Sequence, residues 1–223
     1  MSVLIVLSGV RKRFGDRELF HIGRLSIEQG RSYVLTGPNG SGKTTLLRML
    51  AGFEPAQAGR FVFRDAPVHF APRYPERLRR AIAYVHQHPY LFHTSLRHNL
   101  EYGLRCRGVP DEERRVRVEE AIAWAGLVGK VGTPPASLSS GEKQRAAIAR
   151  VRALRPDVIL LDEVTSNLDQ EGRAQTLALL AQLRDEGRTI VVACHDPEVI
   201  ALGGLTPLHL ENGTLQQLEI ATS

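Results

Sequence analysis

A chain of 223 residues with 43% apolar side chains has enough material for one large domain with a subdomain, and too much apolar content for disorder. Its 29 basic against 24 acidic residues give a net charge of +5, which suits an anionic partner or a solvated basic surface equally. Two cysteines far apart, Cys106 and Cys194, form neither a disulfide framework nor a zinc-ligand spacing, and no apolar stretch approaches the roughly 20 residues needed to span a bilayer. Any membrane role must therefore be played beside a separate membrane protein.

Residues 1–14 carry a short apolar run with its charges after it and no small-residue cleavage site, so they read as a first β-strand rather than a signal sequence. Residues 3–10 and 23–29 are expected as short strands flanking a charged segment with a turn at Gly15-Asp16. Phe14 lies in that segment, where an aromatic can stack on a purine or pack on an edge strand. Residues 33–50, YVLTGPNGSGKTTLLRML, predict strand, glycine-rich loop and helix in that order. Gly37, four residues, then Gly42-Lys43-Thr44 is the phosphate-binding P-loop spacing. Glycines 37, 40 and 42 permit positive φ and turn successive N–H groups towards one point. Lys43 can then reach β- and γ-phosphates, and Thr44 can offer a hydroxyl to Mg²⁺.

A loop at 55–59 leads to a strand at 60–63, and 64–80 reads as irregular basic surface. Residues 81–86 alternate as a strand with Gln87 at its end, followed by Pro89, Tyr90 and Phe92. Histidines 86, 88, 93 and 98 lack a carboxylate or cysteine at metal-ligand spacing. Helices are expected at 95–105 and 110–125, the second capped by Asp111, burying Val118, Ala121, Ile122 and Ala125, and stopped at Gly126. Residues 138–145, LSSGEKQR, place two serines and a glycine before a helix running to about 154, as an ordinary N-cap or a second anion site.

The apolar run 158–161 delivers Asp162 and Glu163 at its C-terminal end, the first suited to Mg²⁺, the second to activating a water. The next helix is expected to show Ala174, Leu177, Ala178 and Ala181 on one face. A buried strand at 189–194 ends at His195, and 208–215 reads as a hairpin about Asn212-Gly213. Three apolar strands thus end in the P-loop, in Asp162-Glu163 and in His195, and in an open parallel sheet such ends converge on a ligand.

In these motifs, and over essentially its full length, the sequence resembles the ATP-binding subunit of an ABC transporter. Gly37, Pro38, Asn39, Gly40, Ser41, Gly42, Lys43, Thr44 and Thr45 match the Walker A motif, Gln87 the Q-loop, 138–142 the signature, 158–163 Walker B, 166–169 the D-loop, His195 the switch histidine and Phe14 the adenine-stacking aromatic. The resemblance implies an α/β P-loop NTPase core with a mostly parallel sheet, an N-terminal antiparallel β subdomain and an inserted helical subdomain. The core would comprise 1–88 and 151–223, and the helical part 89–150.

It also implies ATP and Mg²⁺ as ligands, with Thr44, Gln87 and Asp162 on the metal side. Two chains would pair head to tail when ATP is bound, the signature residues Ser139, Ser140, Gly141 and Glu142 of one chain and Asp169 completing the nucleotide site of the other. The helical part, near Tyr90, Leu91 and Phe92, would dock separate permease subunits at the cytoplasmic face of the cell membrane, with a possible solute-binding protein outside and no nucleic acid.

Ser140 stands where the family most often has glycine, Glu142 where it has glutamine, and Val164 where it has proline. Turnover is expected to survive, with Lys43 and the signature stabilising charge, Glu163 polarising water, His195 holding the γ-phosphate or the water, and Gln87 linking dock and site. The end of the sequence soon after the last hairpin leads to the expectation of no C-terminal regulatory domain. Residues 84–103 are similar to phosphate- and tungstate-type importer subunits, so the expected cargo is an oxyanion, tungstate first. The other readings are an exporter of lipoprotein or peptide, a soluble ABC ATPase outside transport, and a non-hydrolysing sensor of ATP.

Overall fold

The structure, a computed structural model, describes residues 2–69 and 75–217. In chain order its elements are β1 (Val3–Phe14), β2 (Arg17–Glu28), β3 (Ser32–Thr36), α1 (Lys43–Leu50), β4 (Ala58–Phe63), β5 (Ala66–Val68), α2 (Glu76–Ala81), β6 (Ile82–Val85), α3 (Leu96–Cys106), α4 (Asp111–Trp124), α5 (Ser140–Leu154), β7 (Val158–Asp162), α6 (Gln170–Asp185), β8 (Thr189–Ala193), α7 (Pro197–Ile200), β9 (Leu205–Glu211) and β10 (Thr214–Gln217). They fall into two compact units, Met1–Tyr84 with Asp157–Glu163 and Ala181–Ser223, and Val85–Pro156 with Val164–Leu180. The sequence reading assigns 1–88 and 151–223 to the core, whereas here 85–88, 151–156 and Val164–Leu180 cluster with the helical unit.

In the first unit β1 and β2 form one long antiparallel hairpin, closed by Gly15 at φ 57° with Phe14 opposite Arg17. The strands run further than the sequence suggests because the charged stretch keeps the alternation. Val10 and Lys12 turn inward while Arg11 and Arg13 face solvent, and the buried Lys12 ammonium donates to the Pro55 carbonyl at 2.8 Å and pairs with Glu54 at 3.2 Å. Four strands in the order β2-β1-β4-β5 make this antiparallel sheet. Residues 64–80, expected to be irregular, hold β5 and α2. Arg64 and Asp65, both at positive φ, turn β4 into β5, and α2 starts after Pro75 and buries Leu78 and Ala81. Residues 70–74 lie outside the described residues.

The second sheet has the order β10-β9-β3-β8-β7-β6, with β9, β3, β8 and β7 parallel. Every residue of β7 and β8 is buried, as expected of strands covered on both faces. Each such Val, Ile or Leu contributes about 1.5–3 kcal/mol of burial. Leu46, Leu47, Met49 and Leu50 of α1 join Val158, Leu160 and Val191 in one core. The Cys194 thiol, just past β8, is buried, which pushes its pKa up to about 12.

The helical unit packs α3, α4 and α5 about Leu96, Leu100, Leu104, Val118, Ile122 and Ala146. The expected α4 face is the buried one, and Gly126 follows the helix at φ 66°. Asp111 is not the cap. Pro110 holds that position, and Asp111, Glu112 and Glu113 instead lie in the first turn, where negative charge suits the helix dipole. In α6 the buried side chains are Thr176, Leu179, Leu180 and Leu183, not the expected set, of which Ala174 and Ala178 are exposed. Alanine is apolar enough to count in a pattern and small enough to sit at the surface without penalty, so the leucines set the face.

Candidate active site

The loop after β3 needs its glycines for distinct reasons. Gly37 sits at φ 143°, and a Cβ there would collide with the Leu210 carbonyl oxygen. Gly42, at φ 106°, is the N-cap of α1, and a Cβ on it would come within 2.9 Å of the Phe20 ring. Lys43 is 7% exposed, and its ammonium donates to the carbonyls of Gly37 at 2.8 Å and Pro38 at 3.2 Å, so the loop is wrapped round it. The Ser41 hydroxyl oxygen is buried with no hydrogen-bond partner in the protein. Such an orphan is costly unless a ligand satisfies it, and in a loop at a helix N-terminus a polyphosphate fits that demand. Asn39, Gly40 and Ser41 line a cleft of about 520 Å³ together with Arg17, His21 and Thr214. Phe14, 54% exposed near the hairpin tip, has the Lys12 ammonium 4.8 Å from its ring centroid.

β7 and β8 lie side by side, with Asp162 opposite Ala193, so their C-terminal ends deliver Asp162, Glu163 and His195 together. Asp162 is 4% exposed and accepts from the Thr44 hydroxyl on Oδ1 at 3.1 Å and from the Tyr84 phenol on Oδ2 at 2.6 Å. A buried carboxylate and a hydroxyl form a hard oxygen pair that suits Mg²⁺. Glu163 stands at φ 50°, a conformation that costs a non-glycine residue about 1 kcal/mol or more, and its N–H donates to Ala193 at 2.9 Å. Its Oε2 lies 2.9 Å from His195 Nδ1, with the Glu163 side chain 14% exposed and that of His195 67%.

Tyr84 is the residue sequence reasoning missed. Burial, then its hydrogen bond to Asp162, pushes its phenol pKa up, and Phe53 meets its ring edge-on at 5.8 Å. The available signal was a lone hydroxyl-bearing side chain on the strand next to the Asp162 strand.

The remaining expected residues belong to the helical unit. Gln87 donates to the Ser166 hydroxyl at 3.1 Å. Ser139 caps α5: its hydroxyl oxygen accepts from Glu142 N–H at 3.2 Å while the Glu142 carboxylate accepts from Ser139 N–H at 2.8 Å, a reciprocal capping box. Lys130 pairs with the second Glu142 oxygen at 2.9 Å, so the charge that distinguishes this position from glutamine is compensated locally. The Ser139 N–H, with Lys130 next, holds the Glu142 pKa below its ordinary value. Ser140 opens α5 as its first residue. Asp169 Oδ1 accepts from Gly172 N–H at 2.9 Å, and Gly141 and Gly172 abut so closely that a Cβ on Gly141 would lie 3.0 Å from the Gly172 Cα.

A model of the ABC transporter family matches residues 21–166. The chain belongs to the ABC transporter family. It is 35% identical over 200 residues to an Fe(3+) ions import ATP-binding protein of Fusobacterium nucleatum, covering 89% of this chain and 53% of that protein. A sulfate/thiosulfate import ATP-binding protein of Gloeobacter violaceus is 37% identical over 98% of this chain and 62% of its own length. A glutamine transport ATP-binding protein of Escherichia coli is 38% identical over 86% of this chain and 81% of its own length. The chain thus spans little more than half of the first two relatives. Among solved structures, cbiO1 from Clostridium perfringens, described as part of an ABC transporter complex, superposes with a TM-score of 0.86 at 28% identity over 97% of this chain and 88% of that one. A dimeric ATP-binding cassette, MJ0796, bound to ADP and Pi, does so with a TM-score of 0.83 at 28% identity over 97% of this chain and all of that one. The expected P-loop NTPase fold, with its antiparallel sheet and helical insert, is the observed one.

Proposed function

We propose that the chain is the ATP-hydrolysing subunit of an ABC importer of a small solute, working as a pair of copies with separate permease subunits at the cytoplasmic face of the membrane. The observation that carries this reading is the meeting, at the C-terminal ends of the adjacent parallel strands β3, β8 and β7, of a P-loop lysine and threonine, a buried carboxylate and the Glu163–His195 pair. Lys43 and the loop N–H groups hold the β- and γ-phosphates, and Glu163 accepts a proton from the water that attacks the γ-phosphorus in line as ADP leaves. His195, within hydrogen-bond reach of Glu163, fixes that carboxylate and the γ-phosphate. Mg²⁺, when bound by Thr44 and Asp162, supplies positive charge against the phosphate oxygens.

The names of the three relatives span a trivalent cation, an oxyanion and an amino acid, so selection of the solute is assigned to the permease and its binding protein rather than to this chain. An oxyanion cargo rests on residues 84–103 and on the sulfate/thiosulfate relative, and tungstate in particular on the sequence stretch alone. No helix among the described residues is long and apolar enough to cross a membrane, which suits a subunit that borrows its membrane path from partners.

The test is Glu163→Gln. Phosphate release in the presence of the permease is expected to fall at least about 100-fold with ATP binding retained. Release at the parent rate removes Glu163 as the base. The same variant, tagged and loaded with ATP and Mg²⁺ in gently solubilised membranes, is expected to carry a multi-span permease with it; recovery of soluble proteins alone would end the transport reading and leave the nucleotide site standing.

A further inference from the structure

The hydroxyl of Tyr84 and the Thr44 hydroxyl occupy opposite oxygens of one nearly inaccessible carboxylate. We propose that Tyr84 is a positioning residue for the metal site: by donating to Asp162 Oδ2 it fixes the plane of the carboxylate so that Oδ1 faces Thr44 and the P-loop. The proposal rests on the reading of Asp162 as the metal-side carboxylate.

Three observations support it. First, an aspartate χ2 rotates in a broad, two-fold well, so a buried carboxylate holds one orientation only when distinct donors claim its two oxygens. Here Tyr84 claims one at 2.6 Å and Thr44 the other at 3.1 Å. Second, both anchors stand on regular structure rather than on loops. Tyr84 belongs to β6, Asp162 ends β7 and the two strands are neighbours in the sheet, while the Tyr84 ring is braced edge-on by Phe53 at 5.8 Å and 78°. Third, the donor is a neutral phenol. An arginine or lysine at that position would orient the carboxylate equally well but would cancel the charge a divalent cation needs; a phenol orients it and leaves the charge in place. Outer hydrogen bonds of this kind set the affinity of metal sites through geometry rather than through ligation.

The experiment compares the full-length chain with Tyr84→Phe, which deletes one oxygen and keeps the ring that Phe53 braces. Two quantities are read: Mn²⁺ binding in the presence of ADP, by electron paramagnetic resonance, and affinity for a fluorescent ATP analogue with Mg²⁺ and with EDTA. Thermal unfolding of both proteins checks that the variant is folded. The expected result is a loss of about tenfold in Mn²⁺ affinity and a matching loss of the Mg²⁺-dependent part of nucleotide affinity, with affinity in EDTA unchanged. Equal Mn²⁺ affinity in the two proteins overturns the proposal. So does a fall in EDTA affinity as large as that in Mg²⁺, which would mark Tyr84 as a packing residue of the P-loop region. A parent chain with no Mn²⁺ site at all would fail before any substitution is made, and that result would sink the reading of Asp162 itself.

Discussion

At Gly37 a backbone φ of 143° and the Leu210 carbonyl oxygen together leave no room for a methyl group. Gly37→Ala combines strain with a clash against backbone, which cannot move aside as a side-chain tip does, and is expected to destabilise the chain by roughly 3 kcal/mol. Gly40, three residues on at φ 78°, has open space where its Cβ would be, so Gly40→Ala is expected to cost about 1 kcal/mol from backbone conformation alone. Urea unfolding of the two variants checks the contrast; equal losses would mean that the contact at Leu210 is not what makes glycine necessary at 37. The sequence motif marks both positions alike. What separates them is a carbonyl contributed by β9, some 170 residues further along the chain, which no local pattern reports.

At the scale of elements, α5 begins with a capping box built from two of the signature positions. Glu142→Ala removes one arm of the box and the Lys130 pair and is expected to cost about 1 kcal/mol, whereas Glu142→Gln keeps an acceptor for Ser139 N–H and is expected to cost less than half of that. The Glu142 pKa is lowered in the folded chain from 4.5, so its contribution is fully present above that pH and is lost as pH falls through the lowered value. The difference in unfolding midpoint between parent and Glu142→Ala should therefore close on acidification and stay constant between neutral pH and 5. A difference that grows on acidification would assign the wrong sign to the charge.

Elements were legible where a run was long and wholly apolar, as in β7 and β8, or bounded by a strong stop, as α4 is by Gly126. They were misread where a charged residue points inward, as Lys12 does against Glu54, and where alanines mimic a buried face, as in α6. Asp162 and Glu163 were legible because a strand end names them. Tyr84 was not, because its partner is fixed by strand order in the sheet and not by chain spacing.

At the scale of the molecule, the P-loop, Asp162, Glu163 and His195 belong to one compact unit, and Ser139 with Gly141 to the other. In the proposed head-to-tail pairing the signature of one chain serves the P-loop of its partner, and damage to the two motifs is complementary between chains. Lys43→Ala spoils a P-loop and keeps a working signature; Ser139→Ala does the opposite, at a cost of about 1 kcal/mol for the lost cap. Each variant alone forms pairs in which every site carries one damaged half. Mixed by unfolding and refolding together, roughly half of the pairs contain one chain of each kind, and in those pairs one of the two sites has both halves intact. Phosphate release by the mixture is therefore expected to rise to about a quarter of the parent value, since one intact site in half of the pairs is that share of all sites. A mixture no more active than its components would mean that P-loop and signature act within one chain, and the pairing would have to be given up while the assignment of Glu163 stood.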